Sequence, residues 1–285
     1  MSALLSSTRA ELLRLRRWPG LWTITGVWLV LNLTFAYAFP YVSYRTGDAS
    51  FSTEGVPAEV LLADVLPAGA PGAIVQGMPL FGGALVLVLG ALVAGSGYGW
   101  GTWKTVVLQG PGRVAAFGGT LVALSVAVAG IVLATAAVDL GAASILASVE
   151  SQPIDLPSVS DLAQAIGGGL LIFTMWTLAG VLAGTLARGP ALAVGLGVVW
   201  VLAVENLLRG VGGLLDWLQP IADAMPGTAA GSLAGALGGS SEAQGDGTPG
   251  VLAVLDLGSA NLLLATYVVV FAAISTALVR RRDLA

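Results

Sequence analysis

The sequence predicts an all-α integral membrane protein: six transmembrane helices, an N-terminal interfacial helix, and short outer helices between spans five and six. Two observations carry this. The chain has 285 residues, is 56% hydrophobic and only 10% charged, and has a mean hydropathy of +0.89. Six apolar stretches, roughly 19–41, 72–95, 114–138, 165–187, 190–204 and 262–279, contain no Asp, Glu, Lys or Arg, and a span needs about 20 such residues to cross hydrocarbon roughly 30 Å thick.

The second observation is that the charges between the stretches are sorted by sign. With the N-terminus in the cytoplasm and one crossing per stretch, the inner side holds Arg9, Arg14, Arg16, Arg17, Lys104, Arg113, Arg188, Arg280, Arg281 and Arg282, against Glu11 and Asp283 alone. The outer side holds Arg45 and Arg209 against the other fourteen carboxylates, so a net +8 faces a net −12 and together they make the chain's −4. This positive-inside sorting predicts a multi-pass protein of the plasma (inner) membrane with both termini cytoplasmic. Adding or deleting one span would scramble it.

Residues 1–17 read as a basic amphipathic helix. Leu4, Thr8, Leu12 and Leu15 share a stripe and Arg9 and Arg16 lie off it, as expected for a helix resting in the inner interface among membrane lipids. Trp18-Pro19-Gly20 breaks it. The first span is too long for a signal peptide and lacks a small-residue cleavage pattern, so it reads as retained. An acidic outer loop, 45–71, follows, with a short amphipathic helix over Pro57 to Leu66. The second outer loop, 139–164, carries Pro153 and Pro157. The fifth stretch is short before Glu205 and must tilt, be buried among its neighbours, or continue past that residue. In the long outer region 205–261, apolar clusters broken by Pro220 and Pro226 predict interfacial or re-entrant helices, and Gly238 to Gly250 has the composition of a flexible linker. Glycines at 82, 83, 90, 180, 184, 195 and 197 predict close helix packing. The whole chain, 1–285, forms one membrane domain.

Several functions are excluded by what is missing. Without His or Cys there is no Ser–His or Cys–His nucleophile and no usual zinc ligand set. Lys104 is the only lysine; Trp103 precedes it where a phosphate-binding P-loop requires glycine. The sequence therefore predicts no enzyme, no metal and no cofactor of its own. The stretches carry Asn32, Gln76 and scattered Ser, Thr and Tyr but no Asp, Glu, Lys or Arg, the nearest being Asp139 and Glu205 at outer ends of spans. Ion-coupled carriers keep such a group near the midplane, so the pattern suits an apolar or amphipathic passenger and an external energy source.

The inner connection from Gly95 to Arg113 stands out. Trp100 and Trp103 lie one helical turn apart between Gly-rich turns. An aromatic belt accounts for each Trp alone; the whole pattern also fits a cytoplasmic knob that a partner protein could grip.

With these residues in view, the chain resembles the bacterial ABC transporter permeases of the type-2 export class over nearly its whole length. The resemblance rests on Glu11-Leu-Leu-Arg-Leu-Arg-Arg17, on Pro79-Leu-Phe-Gly and Leu92-Val-Ala-Gly-Ser96, and on Tyr98-Gly-Trp-Gly-Thr102, Lys104-Thr and Gln109-Gly-Pro-Gly-Arg113. It implies a second permease subunit, identical or different, and two cytoplasmic ATPase subunits that bind ATP and Mg. It further implies that 1–17 is an elbow helix, carrying Arg9, Arg14, Arg16 and Arg17, and that 97–109 is a coupling helix docking on the ATPase. Relatives often carry an acidic residue before the loop tyrosine. Here it is Gly97, which leaves docking to Tyr98, Trp100, Trp103 and Lys104, with Gln109 at the loop's end. The alternatives are a stand-alone secondary carrier or channel, and a membrane anchor that moves nothing.

Overall fold

The chain's prolines and polar caps decide where its helices begin. Proline has no N–H to lose at the first helical position, and its fixed φ suits that site. Pro19, Pro190 and Pro226 each open a helix. Elsewhere side chains cap: Ser158 Oγ accepts the Asp161 N–H at 3.1 Å, and Asp256 Oδ2 accepts those of Gly258 and Ser259 at 2.9 and 3.1 Å. Such a cap satisfies donors that the helix leaves open.

The computed structural model describes residues 3–47, 56–99, 112–241 and 247–281, and among them it contains helices and no strand. In chain order these are α1 (Ala3–Arg17), α2 (Pro19–Thr46), α3 (Ala58–Val65), α4 (Pro67–Gly99), α5 (Arg113–Val149), α6 (Val159–Ala187), α7 (Pro190–Gly212), α8 (Gln219–Asp223), α9 (Pro226–Ala236) and α10 (Leu257–Arg281). The six apolar helices α2, α4, α5, α6, α7 and α10 are 28, 33, 37, 29, 23 and 25 residues long and apolar enough to cross a membrane. The protein is a membrane-embedded helical bundle.

The spans are longer than the apolar stretches because a helix does not stop where hydrocarbon does. The connection predicted over 139–164 shrinks to 150–158, since α5 continues through Asp139 to Val149 and α6 begins at Val159. The fifth span resolves by continuing past Glu205 to Gly212. The segment 97–99, expected in the inner loop, is instead the last part of α4. The described flanks of the predicted linker are packed. The Ser240 carbonyl accepts the Thr248 N–H at 3.0 Å, Gly238 lies against Gly72, and Gly250 lies against Leu80.

Contacts at the helix ends divide the molecule into a basic and an acidic end. A groove lined by Leu4, Arg113, Gly118, Thr276 and Arg280 joins α1, the start of α5 and the end of α10. Gly95 near the end of α4 touches Pro190 at the start of α7. These elements carry the described arginines other than Arg45 and Arg209, with Arg188 between α6 and α7. At the opposite end, Glu150 after α5 accepts hydrogen bonds from Tyr41 (2.7 Å), Tyr44 (3.3 Å) and Arg45 (3.0 Å) of α2.

The core centres on a seam between α4 and α6. A methyl placed on Gly90 would fall inside contact with the Thr177 carbonyl, and one on Gly180 inside contact with the Leu87 carbonyl. Backbone meets backbone there, the purpose small residues serve between helices in lipid. Helix α9 is wedged into the same core: Pro226 to Ala234 are all buried, so this piece of the outer region packs inside the bundle rather than on its surface. Helices α2, α7 and α10 lie outside and turn Val30, Leu196 and Leu262 outward, toward hydrocarbon. A second, small core of Ala36, Tyr37, Val65, Ala73 and Ala143 seals the acidic end of α2, α3 and α5.

Candidate functional site

Two polar rungs join α2 to α5 inside the bundle. Trp28 and Asn32 lie one turn apart on α2, and Thr135 and Asp139 one turn apart on α5, so each pair shares a helix face. Trp28 Nε1 donates to Thr135 Oγ1 at 2.8 Å, and Asn32 Nδ2 donates to Asp139 Oδ1 at 2.6 Å. All four are buried; Asp139 and Thr135 are 0% exposed. The second rung is incomplete, because Asp139 Oδ2 and the nearby Tyr37 hydroxyl are buried without a hydrogen-bond partner. Asp139 lies about 30 Å along α5 from Gly119, at 1.5 Å per residue, and Gly119 is where Ser7 and Thr8 of α1 pack. The site therefore sits toward the acidic end of the bundle.

Three π-helical turns lie in the spans: Thr34–Ala38 in α2, Met78–Gly82 in α4 and Trp200–Val204 in α7. Such a turn inserts one residue, re-aims the side chains beyond it, and recurs at functional sites. Two have a visible cause. Pro79 and Pro40 have no N–H and clash with the carbonyl four residues back. The ladder shifts to five-residue spacing: Gly82 N–H bonds the Gly77 carbonyl at 3.0 Å, and Phe39 N–H bonds Thr34.

A cavity of about 290 Å3 opens between these first two turns. Trp28, Phe35, Phe39 and Phe81 form its apolar wall, and Asn32 and Gln76 supply its polar atoms. Phe35 stacks on Phe81 at 6.0 Å with 7° between the planes, and Phe39 meets Phe35 edge-on at 5.2 Å. Gly247, Thr248 and Pro249 complete the lining. Gln76 Oε1 accepts from Ser240 Oγ and Thr248 Oγ1, both at 3.4 Å.

The third π turn serves a different group. Glu205, 1% exposed, accepts Trp200 Nε1 at 2.8 Å on Oε1 and the Gly227 N–H at 2.7 Å on Oε2. Both oxygens are occupied, and the second bond pins the start of the buried α9. Arg209, a turn further along α7, hydrogen-bonds Asn206. Glu205 holds the architecture; Asp139 has an oxygen to spare.

The residues singled out from sequence fall elsewhere. Tyr98 is near the end of α4, half-buried and packed on the core. Trp100, Trp103, Lys104 and Gln109 lie outside the described residues. Arg9, Arg14, Arg16 and Arg17 line the exposed side of α1, whose Thr8 and Leu15 are buried; Arg14 pairs with Glu11 at 2.7 Å. The structure thus brings Tyr98 and the α1 arginines to one end. Sequence reasoning noted Asn32, Gln76 and Asp139 separately but not their assembly. The available signal was the four-residue spacing of Trp28/Asn32 and Thr135/Asp139, together with prolines at 40 and 79. No family model matches the chain, and no curated protein matches it.

Proposed function

We propose that this chain is the membrane-spanning permease subunit of an ATP-binding-cassette exporter for an apolar or amphipathic substrate. It pairs with a second permease subunit, the same or different, and with cytoplasmic ATPase subunits that bind ATP and Mg and supply the energy. No covalent chemistry is assigned to it. The single observation that supports this best is the gathering of charge and amphipathic structure at one end of a six-helix bundle. There α1 lays its buried stripe on α5 and exposes its arginines, and α4 carries Tyr98 one residue before its end. On this reading the basic end faces the cytoplasm of a plasma membrane, α1 is the elbow helix, and the loop couples the ATPase to the spans.

The reading is tested by co-purifying the chain with the ATPase encoded beside it and measuring ATP-driven transport in liposomes. A complex whose ATPase activity rises with cargo is expected. Trp100→Ala/Trp103→Ala should leave hydrolysis intact and abolish transport; an unaltered double mutant would remove the loop from the mechanism. One observation favours a second reading. Asp139 is buried with an unpartnered oxygen inside a spanning helix, and such groups mark ion or substrate pathways. A stand-alone secondary carrier would move cargo in liposomes holding neither ATP nor partner.

A further inference from the structure

We propose that the cavity between the π turns of α2 and α4 binds a protonated amine carrying an aromatic or aliphatic body. The inference rests on the transporter reading in calling this ligand cargo; the binding itself does not need it.

The chemistry of the wall selects the ligand. Four aromatic rings surround the space, and ring faces attract cations, most strongly when water is excluded. The polar atoms on offer include two amide oxygens that can accept, those of Asn32 and Gln76, beside the Gln76 amide nitrogen and the Thr248 hydroxyl. The Asn32 amide nitrogen is committed to Asp139 at 2.6 Å, which leaves Oδ1 as its free end. That oxygen points toward the cavity side, since a methyl built on the lining residue Gly77 would stand 3.9 Å from it. Gln76 Oε1 holds only two long hydroxyl contacts. Among the described residues no Lys or Arg lines the space, so no fixed positive charge there invites an anion.

Asp139 strengthens the selection from behind. It lies one hydrogen bond outside the lining, with Oδ2 lacking a donor. An ammonium donating to Asn32 Oδ1 would polarise the amide against Asp139, and a charge-assisted chain of this kind is roughly twice as strong as a neutral one. The volume, about 290 Å3, lies just under the range of drug-sized ligand pockets, about 300 to 1,000 Å3, and suits a small amine. The two π turns are the local distortions that turn Phe35 and Phe81 into the space.

The test uses the full chain in nanodiscs, without ATPase. Phenethylamine, phenethyl alcohol and hydrocinnamate share one body and differ in a cationic, neutral or anionic head. Titration calorimetry should show the amine binding about tenfold more tightly than the alcohol, with hydrocinnamate not binding. Phe35→Ala, at a residue already 51% exposed and so tolerant of change, should weaken the amine several-fold. The double variant Asn32→Leu/Asp139→Leu should erase the preference for amine over alcohol. Equal affinity for all three heads, or an amine affinity untouched by both variants, would overturn the proposal. ATP-driven export that persists when the amine does not bind would sink this inference and spare the transporter. Specific amine binding without nucleotide-driven export would do the reverse.

Discussion

Removing the Asn32 side chain amide should damage the protein more than an ordinary interhelical hydrogen bond would suggest. Side-chain hydrogen bonds between membrane helices average about 0.6 kcal/mol and reach about 1.7 kcal/mol. The Trp28–Thr135 rung, between neutral groups at 2.8 Å, belongs in that range. The Asn32–Asp139 rung differs, because its acceptor is a fully buried carboxyl group whose other oxygen already lacks a donor. Hydrogen bonds to charged groups contribute about 1.5–3 kcal/mol, and an orphaned buried polar group costs about 1–3 kcal/mol. Asn32→Leu, close in volume, should therefore destabilise by about 3 kcal/mol, and Asp139→Leu by about 1–3 kcal/mol through the stranded amide. The double variant leaves no stranded group and should lie within about 1 kcal/mol of wild type, since replacing both partners by apolar groups can be nearly neutral. The coupling is then about 3 kcal/mol or more, against about 0.6 kcal/mol for the matching cycle Trp28→Phe/Thr135→Val. Reversible unfolding in mixed micelles, followed by steric trapping, measures all four corners. Additivity within about 0.5 kcal/mol, the scatter of independent sites, would show that Asp139 finds other partners and refute the reasoning.

Three further outcomes follow from named contacts. Gly180→Ala should cost about 1–3 kcal/mol, because its methyl meets the Leu87 carbonyl and backbone cannot swing away; Gly195→Ala, with nothing within 4 Å, should be neutral or stabilising in the same melting assay. The Tyr41 hydroxyl, with Arg45 and Tyr44, holds the Glu150 carboxyl below the usual carboxylate range. Because the folded-state value is the lower one, that stabilisation is present at neutral pH and lost as pH falls through the depressed value. Melting temperature should thus drop more on acidification below about pH 4 in wild type than in Glu150→Gln, and identical profiles would remove the carboxylate from the tie between α2 and α5. The chain has no native cysteine, so single cysteines report sidedness directly. Cysteine at the exposed Ala10 should be labelled only from the cytoplasm and cysteine at Ser151 only from outside, and the opposite pattern would invert the topology.

Much of this architecture was legible without coordinates. Six uncharged stretches and the sorting of twelve basic residues against sixteen acidic ones are one-dimensional signals, because hydrocarbon rejects charge wherever the chain later packs. The amphipathic stripe of α1 and the short helix after Pro57 were equally local. The limits of the spans were not. Asp139 looked like an outer boundary because a lone carboxylate in lipid is costly, yet α5 carries it ten residues inside the helix end with Asn32 beside it. The linker after Gly238 looked flexible by composition, but its described flanks are held by Gly72, Gln76 and Leu80.

Hydropathy and charge, read along the chain, determined how many times it crosses the membrane and which helix ends share a side, since each term depends on the residue and its depth alone. Only the folded bundle decided which glycines become a seam, as Gly90 and Gly180 do and Gly195 does not. It alone separated the two buried carboxyl groups, completing Glu205 with Trp200 and Gly227 while leaving Asp139 an oxygen short beside an aromatic cavity. Trp200 apart, those outcomes depend on backbones and donors arriving from residues 22 to 107 positions away, and no local pattern encodes that meeting.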